Sequence, residues 1–184
     1  MRVITGLARG RRLETLPGDN TRPTGEKVKE SVFSSIQFDI EGRRVLDLFA
    51  GSGQLGIEAL SRGAAGCVFV DKNTDAVQVI RRNLQHTGLY EKAQVLGTDA
   101  LAYLTRPNDR FDLVFLDPPY ASDLMIQALE KVEPLVNDGG IIVCETNEST
   151  QLPMRLGRFY LAKTARFGQA YIRIYRYNNG EEDE

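Results

Sequence analysis

At 184 residues and a net charge of −2, the chain fits one domain with a full core. No run of eighteen apolar residues is present for a membrane helix. The opening Met1-Arg2-Val3-Ile4-Thr5-Gly6 holds no signal-peptide core, so a cytoplasmic location is expected. His86 is the only histidine, and Cys67 and Cys144 fall in apolar strand-like runs, so no metal site, disulfide or histidine base is expected.

In chain order, residues 2–16 alternate and turn at Gly6 and Gly10. This predicts a β-hairpin with Arg9, Arg11 and Arg12 exposed near its tip. Thr21-Arg22-Pro23-Thr24 leads into a helix over 25–37, with Val28, Val32 and Ile36 on one face. Strands are expected at 45–49, 67–71, 93–97, 112–116 and 140–145. Helices are expected between them at 54–62, 73–86, 100–105 and 123–136. Residues 159–165 and 170–177 read as a terminal antiparallel pair, and 178–184 as an acidic tail. Alternating strand and helix means an α/β fold with a mainly parallel sheet and helices on both faces.

Two stretches carry chemistry. Between the first strand and its helix lies Ala50-Gly51-Ser52-Gly53-Gln54-Leu55-Gly56, a glycine-rich turn. Its glycines at 51, 53 and 56 have the spacing that lets backbone approach a nucleotide and pack closely on a strand. Asp71 ends the next strand twenty residues after Gly51, the place of a ribose-hydroxyl partner. That spacing does not choose between NAD and another adenosine cofactor. Asp47 sits just before the turn, where a pyrophosphate would be repelled; it either serves a cation or caps the loop.

The second stretch is Asp117-Pro118-Pro119-Tyr120, at the carboxyl end of the apolar run Leu113-Val114-Phe115-Leu116. Two prolines carry the chain away from the strand as a stiff, extended loop. The loop offers a carboxylate, a carbonyl freed from pairing and an aromatic plate. Those groups suit a flat ring bearing an NH2 group.

Asp47-Leu48-Phe49-Ala50-Gly51-Ser52-Gly53 and Asp-Pro-Pro-Tyr together resemble the Rossmann-like methyltransferases that act on exocyclic amines with S-adenosylmethionine. The resemblance sharpens at Gly6-Leu7-Ala8-Arg9-Gly10-Arg11-Arg12-Leu13, Thr21-Arg22-Pro23-Thr24 and Val28-Lys29-Glu30-Ser31-Val32-Phe33. These look like the RsmD family of bacterial 16S rRNA guanine-N2 methyltransferases. It implies a class I methyltransferase fold with a seven-stranded sheet and an N-terminal hairpin. It implies S-adenosylmethionine held by Asp47, Phe49, Ala50, Gly51, Ser52, Gly53, Gly56, Asp71 and Lys72. Asp99 and Ala100 would meet adenine, although Asp99 also reads as a helix N-cap. Catalysis would fall to Asp117, Pro118, Pro119 and Tyr120. Arg22 and Thr24 would order the methionine end, contact RNA or serve the fold alone.

Charge is unevenly spread. Residues 1–44 hold nine Lys/Arg against six Asp/Glu, and residues 151–177 hold six against none. The stretch 45–150 between them holds eight against fifteen. Such asymmetry suits a phosphate-binding face on an acidic protein, and it also fits ordinary solvated surface. The expected partner is 16S rRNA within a small subunit or an assembly intermediate. Residues 1–44 are expected to bind RNA and 45–177 to form the catalytic core. A DNA adenine-N6 or protein-amide methyltransferase, a nicotinamide-dependent reductase and a non-catalytic RNA-binding module are the alternatives. Cofactor titration separates these classes.

Overall fold

The computed structural model describes residues 1–18, 23–105, 108–119 and 122–180, with the side chains of Pro23, Thr24 and Ser122 outside the description. Strand β1 (Arg44–Asp47) is followed by helix α2 (Gln54–Ser61) and β2 (Gly66–Asp71); helix α1 (Pro23–Ser35) precedes them. Then come α3 (Thr74–Thr87), β3 (Ala93–Gly97), α4 (Ala100–Tyr103), β4 (Phe111–Leu116), α5 (Ser122–Val132) and β5 (Val136–Asn147). The chain closes with β6 (Arg155–Leu156), β7 (Phe159–Phe167) and β8 (Ala170–Tyr177).

These strands form one sheet in the order β3-β2-β1-β4-β5-β8-β7-β6. The first five are parallel, and β8, β7 and β6 are antiparallel. Seven strands were expected; the sheet has these and a two-residue edge strand, β6, whose two-residue span gives no alternation to read.

Side-chain alternation splits the interior into two layers. Val45, Leu113, Phe115, Ile141 and Val143 face one side with Phe33 of α1, Ile36 just after it, Ile57 of α2 and Ile80 of α3. Leu46, Val114, Leu116, Ile142 and Cys144 face the other with Met125 and Leu129 of α5. A strand covered on both faces must be apolar where it is covered, as β4 is from Leu113 to Leu116.

The N-terminal hairpin is present but shorter than expected. Among the described residues, 2–16 pair through one antiparallel bridge between Arg2 and Arg12, flanked by bonds from Val3 N–H to Arg11 O at 2.9 Å and from Leu13 N–H to Met1 O at 2.8 Å. The reason is competition for the backbone. The N–H groups of Ile4 and Thr5 donate to Glu58 Oε2 and Oε1, that of Ala8 to Ser61 Oγ, and that of Glu14 to Asn83 Oδ1. Thr5 gives to Glu58 a donor that a longer ladder would use, and the other three bonds tie the segment to α2 and α3.

Helix α1 begins two residues earlier than expected, at Pro23, since proline suits a first helical turn. Helix α5 is shorter, because Glu133–Leu135 tightens into a 3-10 turn around Pro134. Helix α4 spans only four residues, and β5 runs to twelve.

Candidate active site

Strand order reverses between β1 and β4. The chain proceeds outward through β2 and β3 on one side and through β4 and β5 on the other. Ligands of open α/β sheets bind outside the carboxyl ends of the strands at such a switch point. The glycine turn leaves β1 there, and the Asp-Pro-Pro loop leaves β4 beside it.

Gly51 and Gly53 carry the turn with φ of +57° and +81°. Gly56, in the first turn of α2, leaves no room for a side chain. A Cβ there would lie 2.3 Å from Phe69 Cε1 and 2.7 Å from Cys67 Sγ. The Gly56 N–H donates to Asp47 Oδ2 at 3.0 Å. Asp47 is thus a buried acid pinning the start of α2 to the end of β1. Burial pushes its pKa up to about 7; the Gly56 bond opposes the rise and the nearby Asp71 charge adds to it.

Asp71 bridges the two cofactor loops. Its Oδ2 accepts from Gly51 N–H and its Oδ1 from Asn73 N–H, both at 2.9 Å. A carboxylate has about four lone-pair sites, so two remain for hydroxyl donors. Lys72 is exposed beside it, Phe49 is half-buried, and Ala50 and Ser52 are buried. Asp99 caps α4, its Oδ1 accepting from Ala102 N–H at 3.0 Å, and stays exposed next to the buried Ala100. Capping and an adenine contact can therefore coexist at Asp99. Every expected cofactor residue lies at the carboxyl end of β1, β2 or β3, or in the loop or first helical turn beyond.

Asp117 and Pro119 are exposed and Pro118 is half-buried, while Tyr120 lies outside the described residues. Asp117 opens onto a cavity of about 120 Å³ whose lining includes Lys29, Gln54, Phe115, Glu145 and Ile172. Arg22 also lies outside the described residues. Thr24 is in the first turn of α1, the helix whose Gly25, Val28, Lys29 and Val32 line the same cavity.

The sequence reading missed five polar residues. Glu58 is fully buried on α2 and pairs with Lys29 at 3.7 Å and with Arg62 at 2.9 Å. Lys29 is itself buried, and its Nζ donates to Arg2 O at 2.7 Å. Desolvation lowers its pKa, with the Glu58 charge opposing. Asn83 donates to both Glu14 O and Ser52 O at 2.9 Å, joining the N-terminal segment to the glycine turn. Gln54 and Glu145 line the cavity. The signal was present: Lys29 and Glu58 are charges set into otherwise apolar helix stripes, and Glu145 continues the inward face of Ile141 and Val143.

The hairpin arginines are not brought to the crevice. Leu7 N–H donates to Ser61 O, at the far end of α2 from the glycine turn. An eight-residue helix puts about 12 Å between those ends. Arg9, Arg11 and Arg12 are exposed, and Arg11 Nη1 reaches His86 O at 3.4 Å. Of the C-terminal cations, Arg158 pairs with Glu133 and Asp138, and Arg176 with Asp39.

Strand order, switch-point crevice, glycine turn and Asp-Pro-Pro loop define a class I methyltransferase. The family model described as Conserved hypothetical protein 95 matches residues 1–176, and the chain belongs to that family, the RsmD methyltransferases. YlbH of Bacillus subtilis is 40% identical over 181 residues, 96% of this chain and 98% of that protein. Ribosomal RNA small subunit methyltransferase D of Escherichia coli is 32% identical, covering 100% of this chain and 93% of that protein. The solved structure of Escherichia coli yhhF superposes with a TM-score of 0.87 at 32% identity, over 97% of this chain and 98% of that one.

Proposed function

We propose that the chain transfers a methyl group from S-adenosylmethionine to the exocyclic N2 amine of a guanine in the 16S rRNA of the small ribosomal subunit. One observation carries the reading: the Asp-Pro-Pro loop leaves β4 beside the glycine turn that leaves β1. An amine-accepting loop and a nucleoside cradle then share one crevice. The name of the Escherichia coli relative supports small-subunit rRNA as the substrate. That substrate places the enzyme in the cytoplasm, acting on a subunit or assembly intermediate.

The residues present fit the cofactor. Asp71 and Asp47 bond the two ends of the turn, and Asp99 stands exposed beyond β3, a set of acids that suits hydroxyls and amino groups and opposes a pyrophosphate. The backbone of residues 49–53 cradles the nucleoside side, Asp71 with Lys72 takes the ribose, and Asp99 with Ala100 takes adenine. S-adenosylmethionine supplies an electrophilic methyl group there.

The chain's own contribution is orientation and charge. Asp117 and the Pro118 carbonyl accept the two amine hydrogens, freeing the nitrogen lone pair from the ring. The Asp117 carboxylate then faces the positive charge that builds on nitrogen. Tyr120 stacks on the base and holds it in line. Exposed cations of residues 1–44 and 151–177 contribute phosphate contacts, those of Arg9, Arg11 and Arg12 at a distance from the crevice, and 178–184 is a solubilising tail.

The test is nucleoside mass spectrometry. Small subunits from cells lacking the protein gain N2-methylguanosine when incubated with enzyme and cofactor. Methyl-adenosine in its place, or no new nucleoside, would sink the reading.

A further inference from the structure

The cavity beside Asp117 contains an acid that neither cofactor binding nor methyl transfer uses. Phe115 of β4 pairs with Val143 of β5, and Leu116 with Cys144. One residue further, Asp117 opens the loop and Glu145 continues β5 beside it. Alternation turns both toward the α1 side of the sheet, the side of Phe115 and Val143. Both line the cavity. The Glu145 side chain accepts no hydrogen bond from the described residues. Gln54 supports the same demand from across the cavity: its Oε1 is buried and accepts no hydrogen bond. Lys29 Nζ is already engaged by Arg2 O and Glu58.

The cavity thus asks for donors. About 120 Å³ holds roughly four waters at ~30 Å³ each, so it receives the edge of a ligand and not a whole nucleotide. Three bases carry an exocyclic amine. Adenine and cytosine place a bare ring nitrogen, an acceptor, beside that amine. Guanine alone places a ring N–H beside it.

We propose that Glu145 is a specificity-determining residue that accepts the N1–H of the target guanine while Asp117 holds the adjacent N2 amine. An adenine or cytosine edge would set its ring lone pair against the Glu145 carboxylate, leaving both unsatisfied. Sites built to bond a substrate N–H reject analogues lacking it strongly. This inference rests on the guanine-N2 reading above.

The experiment replaces the methylated guanosine, once mapped, by 2-aminopurine riboside through ligation of synthetic RNA into small-subunit rRNA. The analogue keeps the amine and loses the N1–H. Wild-type enzyme should methylate guanosine at least ~10²-fold faster than the analogue in single turnover. Glu145→Gln, whose amide can donate or accept, should bring that ratio toward one while leaving cofactor affinity unchanged. If wild-type enzyme treats the two bases alike, or if Glu145→Gln slows both equally, Glu145 does not read the ring. The wild-type comparison stands even if the variant does not fold. Failure to methylate the guanosine control overturns the guanine reading itself, and this inference with it.

Discussion

The Asp71 carboxylate accepts the Gly51 amide at 2.9 Å, so the acid ending β2 fastens the turn ending β1 twenty residues upstream. A residue expected to hold a ribose also shapes the loop under the cofactor. Asp71→Ala therefore removes two supports at once. Cofactor affinity should fall by at least the ~1.5–3 kcal/mol of one charge-assisted hydrogen bond, read by calorimetry. Asp99→Asn keeps the α4 cap, since asparagine caps as well as aspartate, and should lose less. Equal affinity in Asp71→Ala and wild type would remove Asp71 from the cofactor site.

Asp117→Ala should still bind cofactor but transfer methyl groups at least ~10²-fold more slowly, the scale for losing a preorganised electrostatic partner. Single-turnover rates at saturating cofactor measure this. Unchanged chemistry would take Asp117 out of the reaction. Tyr120→Ala should lose less rate and more RNA affinity, as base stacking is worth ~1–3 kcal/mol.

Asp47 makes stability depend on pH. Its folded pKa of about 7 lies above the ordinary aspartate value. Between the two, the folded state holds a proton that the unfolded state has released. Stability is then fully present below pH ~4 and falls as pH rises toward 7, by up to ~4 kcal/mol at about 1.4 kcal/mol per unit. Asp47→Asn keeps an oxygen for the Gly56 N–H and should flatten this slope. Urea midpoints measured from pH 4 to 8 test it; parallel profiles for the two proteins would refute it.

Glu58→Gln breaks the buried pair with Lys29 and leaves that ammonium uncompensated. Breaking a buried pair in this way costs ~3–5 kcal/mol. Glu58 also accepts from Ile4 and Thr5, so the first residues should become protease-sensitive. A variant with wild-type unfolding and wild-type proteolysis would show that the N-terminal segment is held by its apolar contacts alone.

Neutralising Arg9, Arg11 and Arg12 together should raise KM for the small subunit and leave cofactor affinity alone. The log–log salt slope should flatten by roughly 0.7 for each single-stranded RNA phosphate that is no longer neutralised. The exposed segment sits at the far end of α2, so kcat should hold. Wild-type salt dependence would move the RNA face to residues 151–177, where Arg155 and Arg166 are exposed.

Much of this protein is local and could be read in one dimension. Glycines at 51, 53 and 56, two prolines after an apolar strand, and alternating strand and helix periods each encode their own geometry. Backbone φ limits and side-chain periodicity act over a few residues, so they leave marks in sequence. The rest was decided by the sheet. Residues 2–16 have the alternation of a hairpin, yet the pairing stops at one bridge, and Glu58, Ser61 and Asn83, more than fifty residues away, accept the segment's other N–H groups. Asp117 and Glu145 share a cavity only because β4 and β5 run parallel in register. A crossover pairing of that kind brings together side chains whose separation along the chain carries no trace of their proximity.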